Sequence, residues 1–180
     1  MSRTAIGIDV GGTKVAGALV DEAGSICARV VEETPADDVE RTMETIYRVG
    51  SNLARSGEPT AVGVGAAGMV DSAAGILRWA PNLAWKEIPI ASLVADRLGL
   101  PCLVDNDANA AAWGELRAGA ARGRNDVLVV TVGTGIGGGI IAGGQLLRGA
   151  HGFAAEIGHI IVEPGGPECG CGNRGCWEQV

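Results

Sequence analysis

Two short glycine-rich turns, each lying between two apolar segments, restrict the fold of this chain more than any other feature. The first has the sequence DVGGTK (residues 9–14), and the second, GTGIGG, occupies residues 133–138. The flanking apolar residues predict a strand on each side of each turn. Glycine accounts for 30 of the 180 residues and clusters in such turns, where it lets the backbone approach a ligand closely. We therefore predict two strand–turn–strand units, a weak internal repeat, each able to meet an anion such as phosphate.

The segments around the two turns predict an α/β fold. A third strand at residues 25–33 would complete a β-meander, and helical spacing of apolar residues predicts a helix over residues 36–56. The other expected elements are a strand at 60–66 buried on both sides, an irregular segment at 68–85, a helix at 90–98, a strand at 101–105, a helix at 107–120, a short helix at 153–158 and a strand at 160–162. The polar segment 122–126 interrupts this pattern. We therefore predict an N-terminal domain at residues 1–121 and a second domain at residues 122–180.

Charge and hydropathy argue against two classes of function. The formal net charge is −7, whereas a surface that binds nucleic acid needs clustered basic residues. No apolar run reaches membrane-spanning length without a glycine or a charge, and the first residues do not have the pattern of a secretory signal. We expect a cytoplasmic protein that binds neither nucleic acid nor membrane and keeps its thiols reduced.

A cysteine-rich segment follows a histidine near residue 160. Cys169, Cys171 and Cys176 are interspersed with glycines, and His159 lies upstream of them. Three thiolates and one imidazole complete the tetrahedral ligand set of a structural zinc site. A disulfide and unrelated free thiols are the alternatives, and the spacing does not match the paired cysteines of a DNA-reading zinc finger. The sequence therefore predicts a closed Cys₃His zinc site.

The first glycine turn has the composition of a phosphate-binding loop. Gly11 and Gly12 would offer backbone N–H groups to an anion. Thr13 would add a hydroxyl and Lys14 a cation, while Asp9 could hold a water bound to Mg²⁺. The spacing differs from that of the GxxxxGK[ST] P-loop, and a strand follows where the P-loop has a helix. A plain hairpin turn is the alternative.

The second glycine turn repeats this composition at the end of another strand. The groups that would face an anion belong to Thr134, Gly135, Gly137 and Gly138. A dinucleotide-binding GxGxxG motif requires a helix after it, and none is predicted here, so we reject that interpretation. The two turns could hold two ends of a polyphosphate.

Polar residues after the predicted strand at 101–105 are candidates for catalysis. Asp107 could accept the proton of an attacking hydroxyl, as a base does in phosphoryl transfer. Asn106 could hydrogen-bond a polyol, although helix capping by Asp or Asn is the alternative for this segment. Glu156 precedes His159 by one helical turn, so both could face one site, and a solvated glutamate is the alternative.

Taken together, these motifs resemble the ROK family of sugar kinases and repressors, from Thr4 to Gln179. The resemblance rests on six segments in the same order: DVGGTK (9–14), PNLAW (81–85), DNDANA (105–110), VGTGIGGG (132–139), EIGH (156–159) and CGCGNRGCWE (169–178). It implies an α/β fold of the actin-like ATPase (ribonuclease H-like) type, with two domains and a cleft between them. The second domain would be incomplete in this chain.

The resemblance also implies roles for individual residues. Asp107 would be the catalytic base. The expected sugar-binding residues are Gly68, Asn82, Asn106, Asp107, Glu156, His159 and Glu178. The expected nucleotide-binding residues are Asp9, Gly11, Gly12, Thr13, Lys14, Thr134, Gly135, Gly137 and Gly138. Zinc would be bound by His159, Cys169, Cys171 and Cys176.

The activity implied by the resemblance is that of a glucokinase, which acts at the start of glycolysis. It transfers the terminal phosphoryl group of ATP, bound with Mg²⁺, to the 6-hydroxyl of glucose. Family members continue well beyond residue 180, so this chain is expected to be a fragment without the adenine pocket. The alternatives are a kinase for another hexose or an N-acetylhexosamine, polyphosphate as the donor, and a sugar-sensing repressor. The full-length protein is expected to form a homodimer or homotetramer.

Overall fold

The computed structural model describes residues 3–80 and 85–180, which form two compact units divided between Asp107 and Ala108. The elements of unit 1 are β1 (Thr4–Val10), β2 (Lys14–Asp21), β3 (Ile26–Glu33), α1 (Val39–Ala54), β4 (Pro59–Ala66), β5 (Met69–Asp71), β6 (Ile76–Ala80), β7 (Trp85–Ile88), α2 (Ile90–Leu98) and β8 (Cys102–Asn106). Helix α3 (Asp107–Ala118) starts at the division and continues into unit 2. Unit 2 further contains β9 (Val127–Val132), β10 (Ile136–Ala142), β11 (Gln145–Leu146) and two 3₁₀ turns, Ile157–His159 and Trp177–Gln179.

Unit 1 is built on a five-stranded sheet with the order β3-β2-β1-β4-β8. Strands β1 to β3 form the predicted antiparallel meander, whereas β4 and β8 run parallel to β1. The three parallel strands end in one row, since Asp9 lies opposite Gly65 and Gly65 lies opposite Asp105. Ligands of α/β sheets bind beyond the carboxyl ends of parallel strands. This register therefore brings the first glycine turn and the segment after β8 to the same end of the sheet.

Helix α1 covers one face of that sheet. Its N-cap is Asp38, whose carboxylate accepts a hydrogen bond of 3.0 Å from the backbone N–H of Arg41. The spacing that predicted the helix also gives its buried face, because apolar side chains one turn apart point to the same side. The principal buried side chains of the helix and of the strands beneath it are Met43, Ile46, Val49, Leu53, Ile6, Ile8, Val15 and Leu19.

The second face of strand β4 is only partly covered, since Gly65 on that face is buried and Gly63 is not. Val62 and Val64 are buried, but Gly63 between them is exposed. A Cβ built on Gly63 would meet no described atom within 4 Å. The prediction that this strand is buried on both sides therefore holds for residues 64–66 and is wrong at Gly63, because a short apolar run does not reveal how far a second layer covers it.

The described part of the segment predicted to be irregular, residues 68–80 and 85, contains regular structure. Strands β5, β6 and β7 form a three-stranded antiparallel sheet. The guanidinium of Arg78 lies 2.7 Å from Asp71 and 2.7 Å from Glu87, one on each neighbouring strand. Gly75, with φ of +73°, closes the turn between β5 and β6. The strands are too short for their alternation to stand out in the sequence.

Unit 2 has a three-stranded antiparallel sheet with the order β11-β10-β9. The predicted short helix at 153–158 is limited to a 3₁₀ turn at Ile157–His159. The predicted strand at 160–162 is reduced to one bridge, between Ile161 and Cys176. The first segment packs against β10 and the second pairs with the cysteine-rich region, so local propensity does not decide their conformation.

The division into units falls earlier than the predicted boundary between residues 121 and 122. A Cβ on Gly139 would lie 2.5 Å from Cβ of Ala112 and 2.7 Å from the carbonyl oxygen of Ala108. Helix α3 thus packs directly on β10, which places it with the second unit. The alanine-rich sequence predicts a helix but does not determine which sheet receives it.

Among the described residues, no helix combines the length and the hydrophobicity that crossing a bilayer requires.

The packing of α1 on the sheet can be tested at Gly17 on β2. A Cβ there would lie 2.5 Å from Cγ1 of Val49 and 2.7 Å from Cδ1 of Leu53. Overpacking of this kind costs about 1–3 kcal/mol, so Gly17→Ala should lower the free energy of unfolding by about that amount in urea denaturation. Gly7→Ala is the matched control on the adjacent strand, because an added Cβ there meets no described atom within 4 Å. Equal destabilisation by the two variants would contradict this packing.

Candidate functional site

The conformation of the first glycine turn is stabilised by hydrogen bonds from Thr34, a residue outside the sequence motifs. The N–H of Gly11 donates to the carbonyl of Lys14 at 3.0 Å. The hydroxyl of Thr34 donates to the carbonyl of Gly11 at 2.8 Å, and its N–H donates to the carbonyl of Thr13 at 3.1 Å. The predicted phosphate donor at Gly11 is therefore engaged within the turn. The amides of Gly12 and Thr13 become the better candidates for anion binding, and no motif marks Thr34 in advance.

Two carboxylates interact electrostatically at the end of the parallel strands. Partial burial and the charge of Asp107 raise the pKa of Asp9 above its ordinary value, and the cation of Lys14 offsets this only in part. Asp9 keeps solvent contact, whereas Asp107 is half-buried at the first position of α3. Paired carboxylates in such a position are suited to holding a hydrated divalent cation and to accepting a proton.

Two of the predicted sugar-binding residues are hydrogen-bonded to each other. Nδ2 of Asn106 donates to the carbonyl of Gly68 at 3.1 Å, and the N–H of Asn106 donates to Oδ1 of Asp105 at 2.9 Å. Gly68 has φ of +136°, and a Cβ there would lie 2.5 Å from the carbonyl oxygen of Trp79. A glycine is required at this position, and it fixes the direction of the Asn106 amide. The predicted Asn82 lies outside the described residues.

The second glycine turn connects β9 and β10. Within it, the N–H of Gly133 donates to the carbonyl of Gly135 at 2.9 Å. A Cβ on Gly138 would lie 2.6 Å from the carbonyl oxygen of Ala155, so this predicted nucleotide-binding residue has a packing role. By contrast, Gly133 and Thr134 are exposed, and a Cβ on Gly133 would meet no described atom within 4 Å. Gly133, absent from the predicted set, is therefore the glycine of the turn with the most open surroundings, although its N–H, like that of Gly11, is engaged within the turn.

Four potential metal ligands gather in unit 2, as the spacing of the sequence predicts. One ligand atom from each lies within 4.8 Å of the others, and the residues are His159, Cys169, Cys171 and Cys176. We refer to these four residues as the Cys/His cluster. Nδ1 of His159 is 3.6 Å from Sγ of Cys169, and the Sγ atoms of Cys171 and Cys176 are 3.6 Å apart. All five cysteines of the chain are free thiols. This donor set is the one that closed zinc sites use.

Glycine-dependent turns give the Cys/His cluster its shape. The N–H of Cys169 donates to the carbonyl of Asn173 at 2.9 Å, and the N–H of Gly172 donates to the carbonyl of Cys169 at 2.9 Å. Gly175 has φ of +74°, and a Cβ there would collide with the carbonyl of Glu163. Only glycine allows these backbones to meet, so the spacing between the cysteines is fixed by the turns as well as by any metal.

The thiols of the cluster differ in acidity. Burial raises the pKa of Cys169 to about 12, and it also raises the pKa of Cys176. A hydrogen bond from the backbone of Asn173 lowers the pKa of Cys171. A bound cation would compensate the charge of all three thiolates, since metal binding releases thiol protons.

Glu178 and Glu156, the predicted acidic sugar ligands of unit 2, both lie next to the cluster in the chain. Burial by itself would raise the pKa of Glu178. Hydrogen bonds from Cys169 and from the N–H of Ile136, and the electrostatic interaction with His159, outweigh this effect and lower the pKa. Glu178 is therefore a carboxylate at neutral pH. Glu156 precedes the 3₁₀ turn, and its carbonyl accepts the N–H of His159 at 3.1 Å.

Comparison with known sequences gives a consistent set of relatives. The family described as "ROK family" matches residues 5–180. The glucokinases of Streptomyces coelicolor and Thermotoga maritima are 47% and 42% identical, each over 97% of this chain. N-acetylmannosamine kinase of Citrobacter koseri is 38% identical over 97% of the chain and matches over 60% of its own length. The chain spans about half the length of the two glucokinases, 55% and 56%.

Solved structures show the same relationship. A ROK family glucokinase from Streptomyces griseus, in complex with glucose and AMPPNP, has a TM-score of 0.93 and 48% identity. The match covers 98% of this chain and 56% of that protein. A ROK hexokinase from Thermus thermophilus has a TM-score of 0.84 and 39% identity, with 98% and 59% coverage. The predicted actin-like ATPase fold is confirmed by these structures.

The pKa of Asp9 predicts a pH-dependent effect on stability. Because this pKa lies above the ordinary 3.8, ionisation of Asp9 disfavours the folded state, and the penalty grows as pH rises through the raised value. Asp9→Asn should therefore raise the melting temperature at neutral pH, and the gain should shrink as the pH falls towards 3.8. Calorimetric scans across this range would measure it, with Asp96→Asn on the exposed side of α2 as the control. A lower melting temperature for Asp9→Asn at neutral pH would count against the burial argument.

Proposed function

The chain belongs to the ROK family, and from this membership we propose that the protein transfers the terminal phosphoryl group of ATP to the 6-hydroxyl of glucose. The observation that carries the proposal is the similarity, at 48% identity and a TM-score of 0.93, to a glucokinase solved with glucose and AMPPNP. The identity of 47% to another glucokinase supports it. The activity is proposed for the whole protein, because the chain spans about half of these relatives.

Unit 1 offers the groups that phosphoryl transfer requires. We assign to Asp107 the acceptance of the proton from the attacking hydroxyl, and to Asn106 a hydrogen bond to the sugar. Asp9 would hold a water of the Mg²⁺ that accompanies ATP, since Mg²⁺ keeps several waters in such sites. The amides of Gly12 and Thr13 would donate to phosphate oxygens. Catalysis would then come mainly from positioning and charge neutralisation.

Unit 2 offers a second set of groups. We assign to His159, Glu156 and Glu178 hydrogen bonds to sugar hydroxyls, and to the turn at Gly133–Thr134 a further contact with phosphate. These roles follow from the match to the family motifs, and the exposed position of the turn supports the second of them. The protein is further predicted to act as a homo-oligomer.

A structural zinc ion is proposed for the Cys/His cluster. Its three thiols and Nδ1 of His159 supply four ligands, which leaves no open position for activating water. Zinc would fix the ring of His159 and leave its other nitrogen for a sugar hydroxyl. Such a site needs reduced thiols, which favours the cytoplasm.

A kinase for another acceptor is the second candidate. It is favoured by the N-acetylmannosamine kinase that is 38% identical over 97% of the chain. Rates with a panel of hexoses and N-acetylhexosamines would separate the two, because the preferred acceptor has the highest kcat/KM.

The role of Asp107 can be tested in the full-length protein. Loss of a general base costs about 10²–10⁴-fold, so Asp107→Ala should lower kcat by that factor while glucose binding, measured by calorimetry, is retained. Asp96→Asn, on the exposed side of α2, is the control for the loss of a carboxylate and should have unchanged kcat. Normal turnover by Asp107→Ala would remove Asp107 from the mechanism.

The zinc site predicts a stoichiometry of one metal ion per chain. Elemental analysis should find zinc in the purified chain, and Cys171→Ser should lose it because one of the four ligands is removed. Cys27→Ser changes an exposed cysteine on β3 and should keep the metal. A strong chelator should lower the melting temperature of the wild-type chain, since metal binding stabilises the fold. Zinc-free protein from a metal-replete preparation would contradict the site.

A further inference from the structure

Glu178 lies between the Cys/His cluster and the second glycine turn of unit 2. Its Oε1 is 3.2 Å from Sγ of Cys169 and 3.5 Å from Nδ1 of His159, both members of the Cys/His cluster. Its Oε2 accepts a hydrogen bond of 3.4 Å from the backbone N–H of Ile136, which lies in the second glycine turn at the start of β10. The side chain is 16% exposed. One carboxylate thus contacts the cluster with one oxygen and the turn with the other.

Gly135 shows that the turn and this carboxylate are fitted to each other. A Cβ on Gly135 would lie 2.5 Å from Oε2 of Glu178 and 3.5 Å from its Cδ. The backbone of Gly135 is not in the left-handed region, so its conformation does not by itself require glycine. The requirement comes from Glu178. At Gly133, two residues earlier in the same turn, an added Cβ would meet no described atom within 4 Å.

The backbone of Glu178 is anchored to the cluster. Glu178 follows Cys176 closely in the chain, and Cys176 pairs with Ile161 in a β-bridge. The N–H of Trp177 donates to the carbonyl of Ile160 at 2.9 Å, and the N–H of Gln179 donates to the carbonyl of Cys176 at 2.9 Å. A shift of the cysteines would therefore move Glu178 and, through its carboxylate, the turn.

We propose that Glu178 is a positioning residue that couples the Cys/His cluster to the second glycine turn, so that metal in the cluster sets the conformation of residues 133–136. The coupling rests on the proposed function only in that this turn is taken to contact phosphate. A metal ion in the cluster would then have two effects. It would fix the proposed sugar-binding side chain of His159, and it would order the second glycine turn.

Backbone NMR of the metal-free, reduced chain titrated with zinc tests the coupling. In the wild type, zinc should shift the amide signals of Gly135 and Ile136, while those of Gly7 and Gly63 in unit 1 serve as the internal reference. In Glu178→Ala, the zinc-induced shifts at Gly135 and Ile136 should fall to below about half of the wild-type values, because the link between cluster and turn is absent. Unchanged shifts in this variant would overturn the proposal and assign the coupling to the contact of residues 155–157 with β10.

A second variant disrupts the contact between Glu178 and the turn by a change in the turn, and it leaves the residues of the Cys/His cluster unchanged. Gly135→Ala places a Cβ against Oε2 of Glu178 and should also reduce the zinc response at Ile136, with zinc stoichiometry unchanged. Gly133→Ala is the matched control in the same turn and should keep the full response, since its Cβ enters open space. Equal responses in the two variants would contradict the coupling. These measurements use metal and amide signals alone, so a protein that fails to phosphorylate sugars would refute the proposed function without deciding this inference.

Discussion

Close approach of backbones, allowed by glycine, is the constraint on which both units depend. In unit 1, Gly17 lets α1 lie directly against the sheet, because Val49 and Leu53 occupy the space that a side chain would need. In unit 2, Gly139 accepts helix α3 and Gly175 accepts the carbonyl of Glu163. At these positions glycine is a packing requirement, whereas at others, such as Gly133, an added Cβ would meet no described atom within 4 Å.

The register of the sheet in unit 1 brings the first glycine turn and the segment after β8, which are far apart in the sequence, to the same end of the sheet. Asp9, Gly65 and Asp105 form a row across three parallel strands, so the segments that follow these strands emerge at the same end. The raised pKa of Asp9, caused by partial burial and by Asp107, reflects this arrangement. Charge at this end is costly for stability, which is the usual condition of a site built for a cation or a transferred proton.

The Cys/His cluster could be predicted from the sequence, because three cysteines and one histidine lie within a short, glycine-rich part of the chain. The contacts of Glu178 could not, since they depend on a fold that brings Ile136 next to a residue far along the chain. The hydrogen bond from Thr34 to the first turn could not be predicted from the sequence either, because Thr34 belongs to none of the motifs. Contacts between distant segments leave no local pattern.

The sequence by itself determined the family, through the order of its six motifs, and most strands and helices, through periodicity; it also indicated the Cys/His cluster, through the types and number of its residues. Tertiary structure decided which glycines pack and which remain open, as the contrast between Gly135 and Gly133 shows. It also decided that α3 belongs with β10 and that residues 68–85 contain a small sheet. In each case the physical reason is the same: a residue's role depends on which atoms lie within a few ångströms of it, and distant parts of the chain supply those atoms.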